Sequence, residues 1–249
     1  MNIKTLSLVV PAYKQEKTIV LNIESLAETL SKLDCKYEII VVVDGFLDKT
    51  YEKAKKVKNN NVRVLGYKVN LGKGNAVRLG MLEAKGDVIG FMDAGMDIES
   101  SSISILLDFI KLHDADIIIG SKLHPDSIVS YPIQRKILSW GYRTFTHLLF
   151  GFDVRDTQVG LKFFKKRVVR DVFPRLLVKQ FAFDVETLAV AYKLGYTRIY
   201  EAPIKLNFRG SGSITSTSFW RVIFWMLWDT AAVFYRLKIL HYYDKDKKQ

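Results

Sequence analysis

The sequence has one cysteine, Cys35, among 249 residues. An internal disulfide is therefore excluded, and so is a zinc site built from cysteines. The four histidines are scattered and show no metal-ligand spacing. The N-terminal apolar run is broken early by Pro11, so it does not have the length of a signal peptide. These features are typical of a reducing compartment, and we expect the chain on the cytoplasmic side of the cell.

Acidic residues are also scarce relative to basic ones. There are 26 Asp and Glu against 38 Lys and Arg, a formal net charge of +12. This excess indicates an anionic partner such as phosphate, nucleic acid or acidic lipid. No nucleic-acid recognition motif is present, and the aromatic residues do not alternate with basic ones, so we do not expect nucleic acid to be the partner.

The chain lacks internal repeats and Pro/Gly-rich linkers, which favours one compact domain. Short β-branched or aromatic runs alternate with helical patterns, which predicts an α/β fold with a doubly wound, mostly parallel sheet. The predicted strands are residues 6 to 10, 38 to 43, 62 to 67, 88 to 92 and 116 to 119. The predicted helices are residues 16 to 32, 49 to 58, 74 to 85 and 100 to 113. Ligands of such sheets bind beyond the carboxyl ends of the strands.

Carboxylates follow the second predicted strand. Asp44 ends an all-apolar run and needs a partner, which a nucleotide base or ribose could supply. For Asp48, in the next turn, we favour a helix N-cap over a ligand contact.

After the third predicted strand, Gly72 and Gly74 flank Lys73. The glycines would let the backbone approach a ligand, or they form an ordinary turn before a helix. The spacings of a P-loop and of a dinucleotide fingerprint are both absent, which disfavours kinases and Rossmann dehydrogenases.

The fourth predicted strand ends in Asp93, and Asp97 follows four residues later. Mg²⁺ and Mn²⁺ prefer carboxylate oxygens and commonly bridge a protein to substrate phosphates. Asp93 is therefore the predicted metal ligand. Asp97 is either a second ligand or the cap of the helix that begins near Ser100.

Four segments together resemble family 2 of the glycosyltransferases, which have the GT-A fold. They are Pro11-Ala-Tyr-Lys-Gln-Glu16, Asp44-Gly-Phe-Leu-Asp-Lys-Thr50, Asn70-Leu-Gly-Lys-Gly74 and Asp93-Ala-Gly95. Each lies at a predicted strand end, in the family's order. Residues 156 to 166 and 181 to 196 are similar to polyprenyl-phosphate sugar synthases, and in particular to dolichyl-phosphate β-glucosyltransferases.

The resemblance implies a nucleotide-sugar site, with a UDP-sugar favoured over a GDP-sugar, and a divalent metal, Mg²⁺ or Mn²⁺. The implied donor-site residues are Pro11, Ala12, Tyr13, Glu16, Asp44, Lys73, Asp93, Ala94 and Gly95. The family's Asp-x-Asp metal motif is here Asp93-Ala-Gly95, so its second carboxylate is absent unless Asp97 replaces it.

The implied acceptor is a polyprenyl phosphate, which would receive glucose or another hexose with inversion at the anomeric carbon. A phosphate monoester ionises a second time near pH ~6, so this nucleophile needs no strong base. It does need cations, and the candidates at motif-matching positions are Lys122, Arg135, Lys136 and Arg209. For Lys122 a solvated surface role is an equal alternative.

Asp184 and Glu186 belong to the Phe-Asp-Val-Glu segment. One of them would orient the acceptor, while a helix-surface role is the alternative for the other. Together with Arg135 and Arg209 they form the predicted catalytic set.

Residues 219 to 240 are the most hydrophobic stretch and contain three of the four tryptophans. Four charged residues argue against a membrane-spanning helix. At 100° per residue Arg221, Asp229 and Arg236 fall within about 80° of one another, which leaves a broad apolar arc. We therefore predict a helix lying in the membrane interface, with packing on the domain or in a homo-oligomer as the alternative.

The sequence thus predicts a GT-A domain over residues 1 to 215 and an amphipathic interfacial helix with a charged tail over residues 216 to 249. The predicted protein is a glycosyltransferase bound peripherally to the cytoplasmic face of a membrane. Transfer to a glycan that is not lipid-linked is one alternative. A non-catalytic, membrane-associated protein that binds nucleotide sugars is another, suggested by Gly95.

Overall fold

The computed structural model describes residues 3–95, 97–130, 133–207 and 219–244, with the backbone alone for 133–138 and 219–220. Its main sheet has the strand order β3-β2-β1-β4-β7-β5-β8. These strands are β1 (Thr5–Ala12), β2 (Lys36–Asp44), β3 (Val62–Tyr67), β4 (Val88–Met92), β5 (Ile117–Ser121), β7 (Leu161–Lys165) and β8 (Ile199–Pro203). A second sheet pairs β6 (Ile128–Ser130) with β9 (Lys205–Asn207).

The helices pack on both faces of the main sheet. They are α1 (Ile19–Ser31), α2 (Thr50–Lys55), α3 (Lys73–Glu83), α4 (Ser102–Leu112), α5 (Ile133–Phe150), α6 (Lys166–Val172), α7 (Phe183–Lys193) and α8 (Phe219–Phe234). The five predicted strands and four predicted helices are all confirmed, with their ends shifted by a few residues.

The sheet is mostly parallel, as predicted. Strand β7 is the exception, because it runs antiparallel between β4 and β5. The central strands are long apolar runs because both of their faces are covered: Leu8, Val9 and Val10 of β1 are fully buried. Successive side chains of β1 point to opposite faces, so Leu8 and Val10 join the core on the α1 side and Val9 joins the core under α3.

Helix α8 packs on the domain through one face. Val233 of α8 is buried, and so is Leu237, which follows the end of the helix. The Thr230 hydroxyl lies 2.7 Å from the Tyr142 hydroxyl of α5. The opposite face carries exposed aromatic residues, among them Phe224 and Trp228. Packing on the domain is therefore confirmed for one face, and the apolar arc of the sequence divides into a buried side and an exposed side. Within the described residues, no helix is both long and apolar enough to cross a membrane.

An ion-pair network ties together the edge of the sheet where β5 and β8 begin and β7 ends. Asp114 contacts Lys165 Nζ at 2.6 Å and Arg198 Nη1 at 2.5 Å. Asp116 pairs with Arg167 and Arg198. Hydrogen bonds from Lys165 and Arg198 lower the pKa of Asp114 to about 2. This edge is opposite to the one that carries the predicted donor site.

Candidate active site

Three parallel strands end at one edge of the sheet and bring the predicted donor-site residues together there. Strands β1 and β2 are in parallel register, with Ala12 opposite Val43, and β4 is parallel to β1 on its other side. Asp44 and Asp93, at the ends of β2 and β4, therefore lie at the same edge. The predicted strand ends therefore meet at one edge, whereas ligand binding there stays a prediction.

The Asp44 carboxylate is occupied by the protein itself. It accepts hydrogen bonds from Asn70 Nδ2 at 2.9 Å, from Leu71 N at 2.8 Å and from Gly72 N at 3.0 Å. The partner that a buried carboxylate needs is thus the glycine turn, defined here as residues 70 to 75. Asp44 shapes this turn, and a role in contacting the nucleoside stays a prediction.

The glycine turn packs against protein at both of its glycines. Gly72 has a φ of +103°, and a Cβ there would lie 2.4 Å from Lys179 O. A Cβ on Gly74 would lie 2.7 Å from Phe183 Cβ. Asn75 N donates to Lys179 O at 3.2 Å. Of the two interpretations of these glycines, the structure supports the turn before a helix, because the space that they leave is taken by residues 178 to 183. The approach of a ligand to this backbone stays a prediction.

Lys73, inside the glycine turn, forms an ion pair with Asp93. Its Nζ lies 2.6 Å from Oδ1 and 2.9 Å from Oδ2. The Asp93 side chain is 47% exposed, but its Oδ1 atom is buried and accepts no hydrogen bond of good geometry from the described residues. Gly160 provides the space for this carboxylate, because a Cβ there would lie 2.2 Å from Asp93 Oδ2.

A second ion pair lies beneath the first one. Asp184 of α7 pairs with Lys162 of β7, and both side chains are almost fully buried. Burial disfavours the Lys73 ammonium, but the carboxylates of Asp93 and Asp184 outweigh it and raise the pKa of Lys73. Burial raises the pKa of Asp184, against the nearby Lys162 and Lys73. Two carboxylates and two ammonium groups therefore alternate from the open edge into the core.

Lys162 was missed by the sequence analysis. A lysine between apolar residues in Leu161-Lys-Phe-Phe-Lys165 was a usable signal, because a charge in a buried strand needs a partner.

The loop after β1 is linked to the loop after β2. Glu16 accepts a hydrogen bond from Lys49 N at 3.1 Å, and Asp48 accepts one from Glu16 N at 3.3 Å. Asp48 also accepts from Thr50 N at 2.9 Å. The N-cap of α2 is Lys49, so Asp48 lies one residue before the predicted cap position and bonds the first residue of the helix. Burial opposes ionisation of Asp48, but these hydrogen bonds prevail and lower its pKa.

Of the other residues predicted beside the nucleoside, Pro11 is half-buried, Ala12 is buried and Tyr13 is exposed. All three lie at the same edge of the sheet as Asp44.

The loop after β4 is held in place through its backbone. Ala94 O accepts a hydrogen bond from Asn22 Nδ2 of α1 at 2.7 Å, and Asp97 O accepts one from Asn207 N of β9 at 2.8 Å. The N-cap of α4 is Ser101, so Asp97 is not the helix cap. Gly95 faces open space among the described residues, since none of them lies within 4 Å of a Cβ built there.

The described residues gather no cluster of three or more His, Cys, Asp or Glu around a metal position. They do fit a metal held by one carboxylate together with substrate phosphates, because the Asp93 side chain is 47% exposed as a whole, and its buried Oδ1 has only the Lys73 ammonium beside it among the described residues.

The predicted acceptor cations are only partly described. Lys122 Nζ contacts Asp156 at 3.0 Å, and both side chains are largely buried, so the solvated-surface alternative for Lys122 is wrong. The side chains of Arg135 and Lys136 on α5, and all of Arg209, lie outside the described residues.

The helix-surface alternative is wrong for Asp184 and for Glu186, since both are buried. Glu186 accepts hydrogen bonds from Val178 N at 2.8 Å and from the Tyr243 hydroxyl at 2.6 Å. Burial raises the pKa of Glu186, and these hydrogen bonds oppose the shift.

The sequence of the chain is similar to those of characterised enzymes. The chain is 34% identical over 204 residues to the dolichyl-phosphate beta-glucosyltransferase of Dictyostelium discoideum, a match over 76% of this chain and 62% of the relative. It is 36% identical over 208 residues to the protein of the same name from Drosophila melanogaster, over 76% and 63% of the two chains. The chain thus spans less than two thirds of the length of these relatives.

Solved structures share the fold. Glucosyl-3-phosphoglycerate synthase from Mycobacterium tuberculosis, solved with Mn²⁺, UDP and phosphoglyceric acid, superposes with a TM-score of 0.69 at 17% identity, over 93% of this chain and 78% of that one. The fold is therefore the GT-A fold predicted from the sequence. The family described as "Glycosyl transferase family 2" matches residues 7–173. The chain belongs to family 2 of the glycosyltransferases.

Proposed function

We propose that this chain transfers a hexose, with glucose as the first candidate, from a UDP-sugar to a polyprenyl phosphate, with inversion at the anomeric carbon. The observation that carries the proposal is the Asp93–Lys73 pair, which lies at the carboxyl edge of the sheet beside the open position of Gly95. The relatives named dolichyl-phosphate beta-glucosyltransferase support the acceptor. The donor is supported by glucosyl-3-phosphoglycerate synthase from Mycobacterium tuberculosis, which shares the fold and was solved with Mn²⁺ and UDP-glucose.

In this proposal Asp93 is the protein's ligand for a divalent metal, with the donor diphosphate completing the coordination. Such a metal, when bound, stabilises the negative charge of the leaving diphosphate as a Lewis acid. Lys73 already lies 2.6 Å from Asp93 Oδ1, so its ammonium is positioned to contact the same phosphates. Asp97 is proposed as a further ligand, direct or through water, on the same loop.

The acceptor phosphate requires cations close to the donor. The Asp156 carboxylate fixes Lys122 at two points: it contacts the Lys122 ammonium at 3.0 Å and accepts a hydrogen bond from Lys122 N at 2.9 Å. The bond from Asn207 N to Asp97 O joins β9 to the loop after Asp93. Arg209 follows two residues later in the sequence, and we propose that it binds the acceptor phosphate with Arg135 and Lys136.

The exposed aromatic face supports a membrane location. We define the outer face of α8 as Phe224, Trp225 and Trp228, which are all at least half exposed. Trp140 and Leu148 of the neighbouring α5 are exposed as well. Aromatic residues on an amphipathic helix are typical of the headgroup region, and the net charge of +12 favours anionic lipid. We propose that the chain binds the cytoplasmic face of a membrane through this outer face.

The test is transfer of radiolabelled sugar to polyprenyl phosphate in anionic liposomes with Mn²⁺, from a panel of UDP- and GDP-sugars. We expect lipid-linked product from one UDP-hexose. Asp93→Asn should abolish it, because an amide cannot supply the charge that holds the metal. Asp108→Asn, on the exposed surface of α4, is the matched control.

Transfer only to a glycan without a lipid would refute the acceptor. Nucleotide-sugar binding without transfer to any acceptor would favour the non-catalytic alternative. Full activity of a folded Asp93→Asn variant would refute the metal assignment.

A further inference from the structure

The chain segment after α8 packs against the core, where Tyr243 contacts the buried carboxylate of Glu186. Tyr243 is 1% exposed, and its hydroxyl donates to Glu186 Oε1 at 2.6 Å. Arg236 Nη2 lies 3.8 Å from the same oxygen, and Arg236 Nε donates to the Tyr243 hydroxyl at 3.2 Å. The C-terminal segment, defined as residues 235 to 244, therefore supplies both a cation and a hydrogen-bond donor to Glu186.

The other contacts of Glu186 are backbone groups in the segment before α7. Leu177 N lies 3.0 Å from both carboxylate oxygens, and Val178 N donates to Oε2 at 2.8 Å. Glu186 is completely buried, so its orientation depends on these few partners. A carboxylate that turned away from Tyr243 would release the backbone at residues 177 and 178.

This backbone in turn supports the glycine turn. A Cβ on Gly74 would lie 2.9 Å from Val178 O, and one on Gly72 would lie 2.4 Å from Lys179 O. Asn75 N donates to Lys179 O at 3.2 Å. With so little space between the two segments, a shift of residues 177 to 179 must displace the turn that carries Lys73.

We infer that Tyr243 and Arg236 are positioning residues for the donor site. They act through Glu186 and residues 177 to 179 on the glycine turn, and thereby on the contact between Lys73 and Asp93. Docking of the C-terminal segment therefore sets the geometry of the donor-binding edge. The identity of the ligand, a nucleoside diphosphate with a divalent metal, rests on the proposed function, whereas the structural coupling does not.

The test compares two tyrosine-to-phenylalanine variants of the full chain. Tyr243→Phe removes the hydroxyl that contacts Glu186 and leaves the ring in the core. Tyr142→Phe is the matched control, because it removes a buried hydroxyl that contacts α8 at Thr230 and not Glu186. Hydrogen exchange of residues 70 to 80 should become faster by on the order of tenfold in Tyr243→Phe alone, as expected for losing one hydrogen bond to a charged group. The dissociation constant of UDP with Mn²⁺, measured by calorimetry, should rise about three- to tenfold in that variant and stay unchanged in the control.

The route through Glu186 is tested by a double variant. In a Glu186→Gln background, Tyr243→Phe should have little further effect on either measurement, because residues of one network are not additive. Equal effects of Tyr243→Phe and Tyr142→Phe, or unchanged exchange in Tyr243→Phe, would overturn the inference. If exchange responds as expected but the wild-type chain binds no UDP, the positioning role stands and the proposed donor is wrong.

Discussion

Gly160→Ala isolates the geometry of Asp93 without changing its charge. Gly160 immediately precedes β7, and its carbonyl accepts the hydrogen bond of Asp93 N at 3.0 Å. An alanine Cβ would lie 2.2 Å from Asp93 Oδ2 and 2.5 Å from Cγ. Ordinary contact needs roughly 3.4 Å or more, so the carboxylate must move by about 1 Å. The Asp93 side chain is 47% exposed, so the carboxylate can move toward solvent, and its contact with Lys73 must change as it does.

A displacement of about 1 Å in a metal-binding group is expected to lower transfer on the order of 10²-fold. Overpacking should cost only about 1–3 kcal/mol of stability, so the fold should survive. The assay is a Mn²⁺ titration of transfer, in which the variant should need more metal for half-maximal rate. Gly141→Ala on α5 is the control, since no atom in the described part of the chain lies within 4 Å of a Cβ there. A wild-type metal requirement and rate for Gly160→Ala would refute the assignment of Asp93.

Three further substitutions probe the charges of the fold and of the site. Gly95→Asp restores a second carboxylate in open space, so a Mn²⁺ titration should show half-maximal rate at lower metal. Asp44→Asn turns an acceptor of backbone N–H groups partly into a donor, and chemical denaturation should show a loss of about 1–3 kcal/mol. The pKa of Asp114, lowered to about 2 by Lys165 and Arg198, implies stability that is present above the unfolded pKa and is lost as pH falls through the folded one. Asp114→Asn should therefore be less stable than wild type at neutral pH, and the difference should vanish between pH ~4 and ~2.

The parallel half of the sheet could be predicted because its strands are uniform apolar runs. Residues 88 to 92 are buried on both faces, so every position had to be apolar or glycine. Strand β7 could not be recognised in this way, since Lys162 and Lys165 break its pattern. Both lysines are paired with carboxylates that are distant in sequence, Asp184 and Asp114. The sequence shows the charges but not the partners that allow them to be buried.

The same limit applied to Asp44. Its position at a strand end correctly predicted that the buried carboxylate requires a partner. The sequence alone does not tell whether that partner is a ligand or the loop of residues 70 to 72, which the structure shows. Hydrogen-bond geometry decides between them, and local sequence contains no information about it. The two interpretations of the glycines in the same loop could not be separated for the same reason, because the segment that they face lies about a hundred residues further along the chain.

The C-terminal helix is the element for which pattern and structure differ most usefully. The apolar arc of residues 219 to 240 predicted a single surface in contact with the membrane. In the structure, α8 has a side that is buried on the domain, with Val233, and an outer face with Trp225 and Trp228. Because Tyr243 beyond the helix reaches Glu186, deleting everything after Ser218 would remove core packing together with any membrane contact. A truncation therefore cannot separate attachment from donor binding. Replacing Trp225 and Trp228 by serine can, since both are at least half exposed: liposome binding should fall while UDP binding and thermal stability stay close to wild type. Unchanged sedimentation with anionic liposomes would refute the membrane role of the outer face.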